Sequence, residues 1–162
     1  MGDSHKEGIT LEPFVRPDWD DYFLKLTEDV GRRSTCLRRN VGAIIVNDSH
    51  EIVATGFNGN ARGYPHCDEI GCIKDKMGFK SGEGNDWCTA VHAEQNALLQ
   101  AGKQSRGSTL YLSICPCKIC ARMIINSGIK CVVIGGDYPD ETGIQNLKDC
   151  NIEVRRCPQK KS

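Results

Sequence analysis

The chain has 162 residues, with 21 Lys and Arg balanced by 21 Asp and Glu, and ten cysteines. This length suits one domain with a real core, and zero net charge supplies no global basic field for nucleic acid. No apolar run approaches membrane-spanning length and no signal peptide is visible, so the cysteines of this enzyme-sized chain point to a reducing, cytoplasmic setting and to thiolate-bound metal.

Residues 1–16 are polar with little periodicity and read as a flexible arm, 17–157 as the single domain, and 158–162 as a polar tail. From Pro17, the residues Trp19, Tyr22, Phe23, Leu26 and Val30 follow helical spacing up to Gly31. The apolar run 41–46 predicts a buried strand. Asn47-Asp48-Ser49-His50 is turn chemistry, and 52–55 completes a hairpin. Gly56-Phe57-Asn58-Gly59 opens a loop reaching about Asp86. A loop of that length inside a compact domain is functional or pinned, and Cys67, Cys72 and Cys88 lie in it or just after it. A helix is expected over 89–101, closing at Gly102. Strand 109–113, helix 117–127, strand 131–134, helix 142–150 and strand 152–155 follow. Helices between strands call for parallel pairing. A hairpin followed by crossovers predicts an α/β fold, a five-stranded mixed β-sheet with helices on both faces in a three-layer α/β/α arrangement.

Two stretches carry chemistry. One is Val91-His92-Ala93-Glu94, and the other is Cys115-Pro116-Cys117-Lys118-Ile119-Cys120. The imidazole of His92 and the thiolates of Cys117 and Cys120 make a three-ligand zinc site whose fourth position is open to water. Glu94, two residues from His92, is placed to move that water's protons without being a ligand. Cys117 and Cys120 share one helix face, and Pro116 suits the start of that helix. Both helix N-termini would favour thiolate and hydroxide. H-x-E alone occurs by chance, and P-C-x-x-C alone fits half a structural zinc site or a redox pair. The two in this order, each opening a helical pattern, are far more specific.

The motifs and their order resemble the zinc nucleobase deaminases of the cytidine deaminase-like superfamily, and within it the deoxycytidylate (dCMP) deaminases. The resemblance covers roughly residues 18–154 and rests also on Val41-Gly42-Ala43 and Gly56-Phe57-Asn58-Gly59. It implies hydrolysis of dCMP to dUMP and ammonia, with water activated on zinc attacking C4 and Glu94 as proton shuttle. It further implies an oligomer, often a hexamer, control by dCTP and dTTP with Mg2+ accompanying the triphosphate, and no nucleic-acid or membrane partner. By position, Asn58 would bind the sugar 3′-hydroxyl and Tyr138 would orient the nucleotide. Arg38 and Arg39 lie near the phosphate position, and their planar forks suit phosphate; the plain alternative is a solvated pair before a strand. Phe57 stands where the family usually has tyrosine, so any hydrogen bond from that hydroxyl is lost. Cys115 is pre-proline and biased to extended geometry, which makes it a bystander near the site.

Some members of the family carry a structural zinc with cysteines at the positions of Cys36 and Cys67. Here Cys36, Cys67, Cys72 and Cys88 could close such a site and staple the loop, with His66 able to replace one. The alternative is buried free thiols. Among rival activities, a tRNA adenosine deaminase would need a basic surface. A free-cytidine deaminase remains open at this stage. A catalytically silent zinc scaffold would be marked by loss of the Glu94 carboxylate, which is present.

Overall fold

The computed structural model describes residues 13–137 and 140–157. Tyr138, the first twelve residues of the expected arm and the 158–162 tail lie outside the described residues. Helix α1 spans Trp19–Gly31 and starts where Asp18 accepts a hydrogen bond from the Asp21 N–H at 2.8 Å. Asp20 and Asp21 in its first turn complement the helix dipole. Strands β1 (Gly42–Val46) and β2 (Ile52–Phe57) form the expected hairpin. Strands β5 (Thr109–Leu112), β6 (Cys131–Ile134) and β7 (Glu153–Arg156) complete the sheet, in the order β2-β1-β5-β6-β7. β1 runs antiparallel to β2 and β5, whereas β5, β6 and β7 are parallel.

Parallel neighbours need crossovers, and two helices supply them: α5 (Lys118–Ser127) and α6 (Thr142–Asp149). With α4 (Ala93–Ala101) they cover one face of the sheet, and α1 covers the other. The period-two alternation of strand side chains divides the interior accordingly. Ala43, Ile45, Leu110, Leu112, Val132 and Ile134 face α4, α5 and α6. Ile44, Val46, Tyr111, Cys131 and Val133 pack with Phe23 and Leu24 of α1. On the α1 face, the Tyr111 hydroxyl donates to Asp20 Oδ1 at 2.9 Å, and Arg155 of β7 clamps the same carboxylate at 2.8 and 2.9 Å. The expected mixed sheet with helices on both faces is therefore present.

Two expectations need correction. The stretch from Gly56 to Asp86 is not a structureless loop. It contains β3 (Gly59–Asn60), α2 (Cys67–Ile70) and α3 (Ile73–Lys76), and β3 pairs with β4 (Ala90–Val91). That pairing also displaces the helix expected from residue 89. Ala90 and Val91 are held extended opposite Asn60 and Gly59, so α4 begins only at Ala93.

Candidate active site

The site is built where two helices start. Gly56 lets α4 touch β2: a Cβ there would lie 2.2 Å from the Ala93 carbonyl oxygen and 2.5 Å from the Ala97 nitrogen. The Asn96 side chain donates to the Phe57 carbonyl at 2.8 Å and ties the same two elements together. His92 is the N-cap of α4, in extended geometry at φ −72° and ψ 158°. Its backbone N–H donates to Gln95 Oε1 at 2.8 Å, and Gln95 Nε2 reaches Met123 Sδ of α5 at 3.6 Å. Gln95 thus fixes the His92 backbone and links it to the second helix, a role the sequence reading missed.

Cys117 is the N-cap of α5, and its sulfur accepts from the Cys120 N–H at 3.5 Å. The turn before it is pressed by α6, because a Cβ on Gly143 would lie 2.3 Å from the Pro116 carbonyl oxygen. The Cys115 N–H donates to the Gly136 carbonyl at 3.0 Å. That segment is therefore fixed from two directions.

His92 Nδ1 lies 3.8 Å from Cys117 Sγ and 3.3 Å from Cys120 Sγ. A tetrahedral zinc with ordinary Zn–N and Zn–S bonds spaces such pairs about 3.5 Å apart. Among the described residues, these three side chains form the group able to hold a metal ion, their ligand atoms all within 4.8 Å of one another. The electrostatics agree. The Cys117 thiol is pulled down to about 4, first by the hydrogen bond from Cys120 and also by His92. The Cys120 thiol is pushed up because it donates to Cys117 and is buried. The pair holds one negative charge readily, and a cation would release the second. His92 is raised, chiefly by its hydrogen bond with Cys117.

Glu94, in the first turn of α4, is 4% exposed. Burial raises its carboxyl above the ordinary range, while His92 pulls it back down. A carboxyl poised in this way can both take and give a proton. Cys115 is buried, and its thiol is pushed up to about 11 by that burial, so it stays neutral.

Glu94, His92 and Cys117 border a cavity of about 120 Å³ whose wall also includes Asn58, Arg39 and Lys74. Asn58 is a clamp: its Oδ1 accepts from the Val41 N–H at 2.8 Å, and its Nδ2 donates to the Arg39 carbonyl at 2.9 Å. An amide has two donor hydrogens and two acceptor lone pairs, so one of each is left for a ligand. Arg38 reaches the cavity wall, but its guanidinium is engaged with Asp75 at 2.7 Å and with the Phe79 and Lys80 carbonyls. Arg39 donates to Ser81 Oγ at 3.1 Å. Cys36, Cys67, Cys72 and Cys88 line the same cavity, yet they do not meet the spacing of a metal-holding group. Cys67 Sγ donates to Asn60 Oδ1 at 3.6 Å, and His66 Nδ1 shares a hydrogen bond with Thr35 Oγ1 at 3.2 Å.

Fold and site together define a class: an α/β/α domain with a His/Cys/Cys metal centre assembled at two helix N-termini beside a buried carboxylate. Residues 17–136 match the family described as the cytidine and deoxycytidylate deaminase zinc-binding region, and the chain belongs to that family. It is 39% identical over 149 residues to the deoxycytidylate deaminase of Saccharomyces cerevisiae, covering 90% of this chain and 47% of the yeast protein. The chain thus spans about half the length of that relative. It is also 39% identical over 133 residues to the deoxycytidylate deaminase of Mycobacterium phage D29, covering 78% of this chain and 98% of the phage protein. The dCMP deaminase of cyanophage S-TIM5, solved in complex with dCMP and dUMP, superposes with a TM-score of 0.72 at 30% identity, covering 89% of this chain and all of that one. Among the described residues, no helix is long and apolar enough to cross a membrane.

Proposed function

We propose that the chain is a zinc-dependent hydrolase that converts dCMP to dUMP and ammonia. The observation that carries this reading is the opening of the His92, Cys117 and Cys120 group and the buried Glu94 into one cavity with Asn58 and Arg39 on its wall. The names of the yeast and phage relatives support it, as does the nucleotide complex of the cyanophage enzyme.

His92, Cys117 and Cys120 would hold the ion, and zinc held there would supply Lewis-acid activation of water near neutral pH. Glu94 is placed to accept a proton on its buried carboxylate and to return protons to the ring nitrogen and the departing amine. Its burial raises its proton affinity, which suits it to carry a proton between those positions. Asn58 offers its remaining donor and acceptor to the sugar hydroxyl while holding β1 in place. Arg38 fixes the loop through Asp75, and Arg39, hydrogen-bonded to Ser81, lines the same cavity wall. The test is ammonia release from dCMP, deoxycytidine, a tRNA and single-stranded DNA. The expected result is kcat/KM highest for dCMP. Equal values for dCMP and deoxycytidine would make this a nucleoside deaminase.

A second zinc is favoured by one observation. Cys36, Cys67, Cys72 and Cys88 all line one cavity, so four thiols from separate segments share one wall. Four sulfurs are the donor set of a closed structural zinc site. We infer that these four close on zinc when it is supplied. Elemental analysis should then approach two zincs per chain, and serine at both Cys67 and Cys72 should remove one. A reproducible single zinc in the unaltered chain excludes this site.

A further inference from the structure

Lys74 lies in α3 and is only 7% exposed. Lysines ordinarily snorkel their ammonium to water. This one lies on the wall of the cavity that holds His92 and Glu94, and its Nζ donates to Asn85 Oδ1 at 2.9 Å. The partner is a neutral amide. Among the described residues, no carboxylate forms an ion pair with Lys74. A buried ammonium whose direct partner is a neutral amide is unfavourable, and an anion bound in the cavity would offset that cost. Arg38, on the same wall, differs because Asp75 already balances it.

We propose that Lys74 is the residue that reads the charge of the substrate, receiving the single 5′-phosphate of the nucleotide. This rests on the nucleotide reading above and names the group that enforces it. An ammonium is a compact point charge, and it binds phosphate without needing a fork geometry. Asn85 holds the ammonium in place from a tightly shaped turn. Gly84 there has φ +61°, and a Cβ on it would lie 2.4 Å from the Phe79 ring.

The test compares kcat/KM for dCMP and deoxycytidine in the zinc-loaded full chain, in Lys74→Met and in Asn85→Asp. Lys74→Met removes the charge and keeps the aliphatic stem. Asn85→Asp keeps the shape and places a carboxylate beside the ammonium, so it competes with phosphate while leaving Lys74 intact. Both variants should lose roughly ten- to hundredfold on dCMP and much less on deoxycytidine, so that the ratio of the two falls. Inorganic phosphate should raise the melting temperature of the unaltered chain more than that of Lys74→Met. Equal losses on both substrates with a fall in zinc content would mean that Lys74 serves a metal–thiolate centre, and this overturns the proposal. So would unchanged discrimination in both variants. If the unaltered chain itself fails to prefer dCMP, the nucleotide reading is what has failed.

Discussion

Glu94 and Cys117 make opposite demands at the residue scale. Burial keeps Glu94 inclined to hold a proton, whereas hydrogen bonds from Cys120 and His92 keep Cys117 inclined to lose one. A metal centre needs both. Cys117→Ser exchanges a metal-binding thiol for a hydroxyl that can still accept from the Cys120 N–H and N-cap α5, so it should abolish zinc binding at this centre while the cap is kept; elemental analysis and thermal unfolding of the zinc-free chains would check this. Cys115→Ser should keep its zinc, because Cys115 is neutral and its segment is held through its backbone. Zinc loss in Cys115→Ser would make it a ligand. The grouping of His92, Cys117 and Cys120 beside Glu94 was legible in the sequence because each sits at a fixed spacing in a two-part motif. Gln95 and Lys74 were not. Gln95 works through hydrogen bonds to the His92 backbone and to Met123, and Lys74 acquires meaning only when separate segments close one cavity around it.

The elements are positioned by close backbone approaches. Gly143→Ala should push α6 off the Pro116–Cys117 turn, costing about 1–3 kcal/mol as an overpacked contact and weakening zinc affinity. An unchanged melting temperature and zinc affinity would mean that α6 does not set the Cys117 position. A second prediction concerns Tyr111, whose hydroxyl is raised above the ordinary phenol value by burial and by its hydrogen bond to Asp20. Below about pH 10 the phenol is neutral in both folded and unfolded chains, and its stabilisation is fully present. Above that value the unfolded chain loses the proton first, so stability falls as pH rises. Unfolding followed from pH 8 to 11 should show a shallower fall in Tyr111→Phe than in the unaltered chain. Parallel curves would contradict the assignment. The hairpin, the crossover helices and the parallel strands were legible because their apolar runs match the buried faces. β3 and β4 were not, since a two-residue strand carries no period. Their pairing, a contact between distant residues, also hid the true start of α4.

At the scale of the whole molecule, the sheet acts as a platform. β1 and β2 carry Asn58 and the Gly56 seat for α4, and the turns after β4 and β5 deliver His92 and Cys117 to one point. The segment between β3 and β4 then walls the cavity with Lys74 and Asn85. On the proposed reading this platform carries out a hydrolytic deamination with Glu94 as its proton shuttle. The measurement that tests it most directly is ammonia release from dCMP by the zinc-loaded chain and by Glu94→Gln, with zinc counted in both. Equal occupancy of the His92–Cys117–Cys120 centre is expected, with turnover lower by roughly 10²- to 10⁴-fold in Glu94→Gln. Turnover near that of the unaltered chain, with the metal in place, would contradict it.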